Sequence, residues 1–389
     1  MNSMDNLKNL FLLDPNIIYL NHGSFGACPK PIFEIYQNWQ RQLEREPVEF
    51  LGRRSTQLLA DSRQRLAQYL RVNSDDVVYF TNPTTAINMV AHNLFKFNNP
   101  LIGPGDEILT TNHEYGAMDR TWRYLCKQSG ARYVQKAIPL PLEDEEGFIK
   151  TFWSGVNQRT RVIFMSHVTS PTALRFPVAE ICRRARRAGI LTIIDGAHAP
   201  GQIPLDLSTI DADFYSGACH KWLCAPKGAA FLYAHKDVQS WLDPLVVSWG
   251  YESEKPSASQ YIDYHEWQGT RDLAAFLSVP SAIDFIEQYD WESIRFRSHQ
   301  LAIETRNRIN QVTGLTPISS DDWFNQMVSI RLPDQLDLEL FKENLFRLFH
   351  IEVPTILWNR ECLLRVSFQA YNTQEDADAL VEAIRFLLL

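Results

Sequence analysis

This 389-residue sequence contains no apolar run near the roughly 18 residues that a bilayer-spanning helix needs, so no membrane partner is expected. It has no surplus of positive charge either. Lys and Arg total 38 against 46 Asp and Glu, a net charge of −8. Neutralising a phosphate backbone takes clustered cations, so a nucleic-acid partner is not expected. The one dense basic run, Arg183-Arg184-Ala185-Arg186-Arg187, falls in a helical pattern and reads as a solvated face. The six cysteines (Cys28, Cys126, Cys182, Cys219, Cys224 and Cys362) are scattered and include no C-x-x-C pair. That spacing speaks against a zinc site or a disulfide framework and fits a reduced, cytoplasmic interior. The opening residues lack a basic start and a small-residue cleavage site, so secretion is not expected. Internal repeats and low-complexity segments are absent. Gly103-Pro104-Gly105 is not a dinucleotide loop, because a strand pattern follows it rather than a helix.

What is there is the composition of a globular enzyme: 45% hydrophobic and 22% charged, which excludes overall disorder. The length suggests two or three domains at about 150 residues each. From about position 76, short β-branched and apolar runs recur at 76–81, 107–112, 132–139, 161–168, 191–198, 213–219 and 229–235. Helical patterns at 85–95, 116–129 and 178–188 separate several of them. This alternation predicts an α/β fold: a mostly parallel seven-stranded sheet flanked by helices, with ligands beyond the carboxyl ends of the strands. The pattern changes after 272. One long helix is expected over 272–309, then a strand at 327–332, a helix at 338–349, a strand at 362–368 and a last helix at 375–388. Residues 21–272 are expected to form a large cofactor-binding domain. Residues 1–20 and 273–389 are expected to form a smaller α+β domain. Loops are expected at 47–54 and 248–259, where the substrate pocket would be shaped.

Three local signals carry chemistry. Asp195-Gly196-Ala197-His198 ends the apolar run Leu191-Thr192-Ile193-Ile194. A carboxylate there needs a cationic partner, unless it merely caps the next turn. Ser216-Gly217-Ala218-Cys219-His220-Lys221-Trp222 follows a second strand pattern. Its lysine is a candidate Schiff-base amine, which must lose its proton near neutral pH through burial beside other cations. A lone lysine is ordinarily a surface residue; the Asp195 signal one strand–helix step earlier reverses that reading. Asn82-Pro83-Thr84-Thr85 looks like a helix start, with Asn82 as cap and Pro83 in the first turn. Its free N–H groups and hydroxyls make a phosphate cradle, or else an ordinary capped helix. Phosphate seat, carboxylate and lysine are together what pyridoxal 5′-phosphate needs.

The ordered set of motifs resembles the class V aminotransferase family of fold-type I pyridoxal-phosphate enzymes. Within it the chain is similar to the isopenicillin N epimerase-like branch, which also resembles hercynylcysteine sulfoxide lyases. The residues that carry this are Tyr19-Leu20-Asn21-His22-Gly23-Ser24-Phe25-Gly26, Asn82 to Asn88, His113-Glu114-Tyr115-Gly116-Ala117 and Ser166-His167-Val168-Thr169-Ser170-Pro171-Thr172. Asp195 to His198, His220-Lys221-Trp222, Gln268-Gly269-Thr270-Arg271-Asp272 and Arg365-Val366-Ser367 complete it. The resemblance implies that Lys221 bonds the cofactor, Asp195 pairs with its pyridine nitrogen and His198 bonds its ring hydroxyl. Tyr115 would stack on its face and is a candidate second acid. Thr84, Thr85 and His220 would hold the phosphate, and Ser170 would touch the cofactor or substrate. Thr270 would reach the phosphate of a neighbouring subunit, which implies a homodimer with shared sites. Arg365 would grip the substrate carboxylate, with Asn21, His22 and Trp249 as further pocket residues. One departure stands out. Many relatives carry a polar residue three positions before the lysine, where this chain has Ala218. Ser216, His220 or Thr270 would have to compensate.

The implied reactions all begin with loss of the α-proton of an amino acid or an amino-acid-derived substrate, with Lys221 as base. Epimerisation or C–S lysis is favoured over transamination. A persulfide-forming cysteine desulfurase needs a mobile cysteine before the carboxylate-binding arginine. Residues 345–360 contain none, and Cys362 shares a strand pattern with Arg365. A metal hydrolase built on Asp195, His198 and His220 lacks an H-E-x-x-H motif, and Lys221 would repel the cation, so no metal is expected. A catalytically silent cofactor-binding protein would have no use for Lys221, Asp195 and Arg365 together.

Overall fold

The computed structural model describes residues 7–96 and 100–388. Positions 1–6 of the expected small domain lie outside the described residues, as do 97–99 and 389. The chain enters with a two-residue strand, β1 (Ile18–Tyr19). Seven strands then build one sheet: β2 (Val77–Phe80), β3 (Glu107–Thr111), β4 (Arg132–Lys136), β5 (Thr160–Ser166), β6 (Leu191–Asp195), β7 (Phe214–Ala218) and β8 (Ala230–Ala234). Their order is β2-β8-β7-β6-β5-β3-β4. β8 is antiparallel to both its neighbours and the remaining pairs are parallel. This is the expected α/β sheet, of fold type I.

Side chains alternate along each strand between two cores. Val77 and Tyr79 pack on one face of the sheet, Val78 and Phe80 on the other. In β5, Ile163 and Met165 join the first core while Val162 and Phe164 join the second. A pleated strand turns successive side chains to opposite faces, so two covered faces demand apolar residues at every position. Helices Pro83–Leu94, Gly116–Ser129, Glu145–Trp153 and Val178–Ala188 supply the cover between strands. None of the described helices is long and apolar enough to cross a membrane.

The last third forms a second sheet. β9 (Met327–Leu332) and β11 (Thr355–Trp358) flank β12 (Glu361–Ser367), all antiparallel, and the short β10 (Ile351–Glu352) pairs with β1. Helices Trp291–Thr313, Leu338–Phe349 and Gln374–Leu388 pack against this sheet or one another. Ser329 Oγ donates to the Pro171 carbonyl at 2.9 Å, tying this sheet to the loop after β5.

Several expectations need correction. The single helix over 272–309 is three: Ala274–Leu277, Val279–Gln288 and Trp291–Thr313. Pro280, in the first turn of the second, cannot continue a preceding ladder. Asp290 starts the third, its side chain accepting from the Ser293 amide at 3.2 Å. The expected loop at 47–54 is helical, a turn at Pro47–Glu49 running into the wider turn Phe50–Arg54 that buries Phe50. Helices Lys30–Arg45 and Ser55–Leu70 and strand β11 are not anticipated by the sequence pattern.

Candidate active site

Three strand ends supply one side of the site. β5 ends in Ser166 and β6 in Asp195, which face each other in register. The turn after β7 carries His220 and Lys221, and β12 of the second sheet brings Arg365. A cavity of about 270 Å³ lies among them, walled by Thr84, Tyr115, Ser170, Asp195, His198, His220, Lys221 and Arg365. So eight of the thirteen residues given a cofactor or pocket role from the sequence share one wall.

The helix start on that wall forms for a local reason. Asn82 Oδ1 accepts from the Thr85 amide at 2.8 Å, and Pro83 sits where a missing N–H has no partner to lose. Asn82, Pro83 and Thr84 therefore present a positive dipole end to the cavity. Thr85 does not line it: its hydroxyl also turns to Asn82 Oδ1, at 3.1 Å, so the residue serves the cap. Backbone contact at Lys221 depends on Gly26. With φ at +69°, a Cβ there would lie 2.1 Å from the His220 carbonyl oxygen.

Burial dominates the electrostatics. It lowers Lys221 to about 7; Arg365 adds repulsion and Asp195 opposes it. Burial raises Asp195, while the Ala197 amide at 2.9 Å and the charge of Lys221 draw it back. Behind Asp195 stands a second carboxyl, Glu114. Burial pushes it up to about 7, against hydrogen bonds from Ser166 Oγ (2.6 Å), Thr111 Oγ1 (2.6 Å) and the Ser166 amide (2.9 Å); Asp195 adds to the rise. His220 is lowered to about 4 by burial, and its Nδ1 donates to the Ala229 carbonyl at 3.0 Å. The neutral ring therefore keeps Nε2 as an acceptor and becomes a donor there only as the cation, a form that a bound phosphate favours.

Arg365 is buried, 5% exposed. Nη1 donates to the Ser170 carbonyl (2.7 Å) and hydroxyl (3.0 Å), and Nη2 to Ser24 Oγ (2.9 Å). Nε has no partner, and among the described residues no carboxylate forms an ion pair with this guanidinium. Burial lowers it to about 10.

Other sequence candidates stand elsewhere. Asn21 is buried behind the wall, held by Glu352 and Ser24. His22 has both ring nitrogens engaged, Nδ1 with Tyr371 Oη (3.0 Å) and Nε2 with the Lys221 carbonyl (3.1 Å), so it supports the lysine backbone rather than the cavity. Thr270 is exposed and off the cavity wall. Trp249 is 87% exposed. Ser216 donates to the Phe231 carbonyl across the sheet and leaves no hydroxyl to compensate for Ala218. Conversely, Ser24, Phe25 and Ser166 line the cavity, and Glu114 backs it, without a role assigned from sequence. All four were visible inside quoted motifs; what each touches was not.

A larger cavity, about 630 Å³, opens between residues 143–145, 175–180 and 320–323. Two of its carboxylates are already engaged: Asp144 caps a helix and Glu180 pairs with Arg183 and Arg184. No lysine lines it, so the smaller cavity is the chemical one.

The model of the family described as aminotransferase class-V matches residues 30–380. This chain belongs to the aminotransferase class-V family. It is 36% identical to an isopenicillin N epimerase of Amycolatopsis lactamdurans, over 98% of each chain. It is 29% identical to a putative L-cysteine desulfhydrase 1 of Oryza sativa subsp. japonica, over 96% of this chain and 84% of that one. A cysteine desulfurase from Thermococcus onnurineus NA1, solved in its apo form, superposes with a TM-score of 0.85 at 18% identity, covering 100% of this chain and 98% of that one. The cofactor of the class-V family is pyridoxal 5′-phosphate. The cavity suits it: a buried amine lowered toward neutrality, a carboxylate, an anion-ready helix start and an unpaired buried guanidinium.

Proposed function

We propose that this class-V enzyme acts at the α-carbon of an amino acid or amino-acid-derived substrate, by epimerisation or C–S lysis as in an isopenicillin N epimerase-like enzyme. One observation carries the reading. Arg365 is buried, with no acidic partner among the described residues, in the same cavity as Lys221 and Asp195. A desolvated, unpaired guanidinium is costly unless an anion arrives, and a carboxylate matches its planar fork.

The roles follow from placement. Arg365 binds the substrate carboxylate, positioned by Ser170 and Ser24. Lys221, lowered to about 7, is the base that removes the α-proton. Asp195 pairs with the pyridine nitrogen, His198 with the ring oxygen, and Thr84 and His220 hold the phosphate. Tyr115, on the wall and 47% exposed, would stack on the cofactor and is the candidate second acid. When bound, the cofactor supplies an electron sink for the pair left on the α-carbon.

The persulfide route finds no support in the cavity wall, which holds no cysteine. Cys362 is buried on β12, its Sγ 3.7 Å from the Asp334 carbonyl. All six cysteines are free and buried, which favours a reduced, cytoplasmic setting. The domain division that serves this site is 21–272 for the large domain, with 1–20 and 273–389 as the small one that delivers Arg365. A homodimer accounts for the exposed Val247, Trp249 and Thr270. A second copy would cover the apolar pair and receive Thr270 at its phosphate seat.

Incubating the holoenzyme with L-amino acids and S-conjugates in D₂O tests the reaction. Deuterium should enter the α-position, with loss of chirality or release of a keto acid and a thiol. The exchange rate should rise with pH through about 7, where Lys221 becomes neutral, and then level off. Stoichiometric amino transfer without either product would favour the aminotransferase alternative. Cofactor binding with no exchange on any substrate would mark a silent binder.

A further inference from the structure

We infer that Trp222 fixes His198 as a neutral ring with its proton on Nε2, making His198 a committed donor toward Lys221 and toward the ring oxygen of the cofactor. The second half of this rests on the cofactor reading above; the first does not. Trp222 is not on the cavity wall and acts only through His198, as a positioning residue.

The indole N–H can donate and cannot accept. Trp222 Nε1 lies 3.2 Å from His198 Nδ1, so Nδ1 must present its lone pair. A neutral imidazole carries one proton, which then sits on Nε2. Nε2 in turn lies 3.2 Å from Lys221 Nζ. A proton on Nε2 can point at that nitrogen only if the amine offers a lone pair, and burial holds Lys221 near neutrality. Adding a second proton to His198 would set its Nδ1–H against the indole N–H. It would also place a cation among Lys221, Arg365, His22 and His220, with Asp195 the nearby carboxylate. Burial, then the charges of Lys221 and Arg365, hold His198 well below the usual histidine range.

The indole has no freedom to turn away. Trp222 is wholly buried, and the His22 ring packs against it at 4.9 Å between centroids. Its carbonyl is pinned beneath Gly201, at φ +84°, where a Cβ would come within 2.2 Å of the Trp222 oxygen. His22 is itself held at both nitrogens, by Tyr371 and the Lys221 carbonyl. This gives His22 a purpose that its absence from the cavity wall leaves open. The result is an ordered relay of His22, Trp222, His198 and the reactive lysine. His198 offers a proton to the cavity where neutral His220 offers only a lone pair.

Trp222→Phe keeps most of the ring volume and removes the donor. A donor at the ring oxygen stabilises its anionic form, so losing it should raise the pH midpoint of the holoenzyme's visible band by about one unit. In holoenzyme isotope-labelled at histidine ring nitrogens, the His198 signal, identified by its loss in His198→Gln, should show a pure Nε2–H tautomer at neutral pH. In Trp222→Phe it should become a mixture. A wild-type His198 that is protonated on Nδ1, or on both nitrogens, would overturn the inference. So would an unchanged midpoint in a Trp222→Phe protein with wild-type melting behaviour. If that variant does not fold, the wild-type tautomer still decides. A wild-type protein with no visible band would remove the cofactor reading, while the nitrogen signals would still uphold or overturn the tautomer.

Discussion

Lys221→Ala is expected to abolish both the visible band of the holoenzyme and α-proton exchange. Two functions meet in one nitrogen. In the proposed function the amine would hold the cofactor and, once displaced by substrate, act as the base. Loss of a positioned base alone removes on the order of 10²–10⁴ in rate. No neighbour replaces it. Lys227 is the nearest lysine in sequence, but its Nζ donates to the Gly26 carbonyl at 3.1 Å and it does not line the cavity. The His198 lone pair at Nδ1 is taken by the Trp222 indole N–H, which the substitution leaves in place. Absorbance spectra and deuterium uptake read the two losses separately. Exchange persisting at the wild-type rate would remove Lys221 as base.

Arg365→Ala is the second large effect. It should weaken amino-acid binding by about 2–5 kcal/mol, roughly 30- to 5,000-fold, with a smaller change in the rate at saturation. Much of that loss is the penalty of leaving a desolvated carboxylate without a partner. Arg365→Lys should not restore affinity. An ammonium is a point charge and cannot hold the Ser170 carbonyl, the Ser24 hydroxyl and a carboxylate in one plane. Substrate titration followed in the visible band measures both variants, and a melting curve checks folding. Unchanged affinity in Arg365→Ala would take the residue out of the site.

The sheet was legible because all its strands but the edge strand β4 are largely buried, so most stand out as short runs of apolar and β-branched residues between polar turns. β9 and helices Gly116–Ser129, Val178–Ala188 and Leu338–Phe349 fall where their patterns place them. The chemistry was legible where a motif terminates an element: Asp195 ends β6, Asn82 caps a helix, and Lys221 follows β7. What was not legible depends on local competition or on distance. An apolar pattern with period 3.6 runs through both Pro280 and Asp290, and only the backbone reveals that they divide it. β11 was hidden because its two-residue turn, Asn359-Arg360, takes positive φ at both positions without the glycine that usually announces such a hairpin. Thr85 and His22 were misplaced for one reason. Sequence names a side chain but does not say which neighbour claims its polar atoms. The same limit hid Glu114, whose three donors come from residues three and fifty-two positions away.

The central claim is that Lys221 Nζ, beside Asp195, holds pyridoxal 5′-phosphate covalently. Borohydride reduction of the holoenzyme followed by peptide mass spectrometry tests it most directly. The peptide containing Lys221 should carry one reduced pyridoxyl-phosphate group, and no other lysine should. Label on Lys227 or another lysine, or no label on a protein that remains yellow, would contradict it.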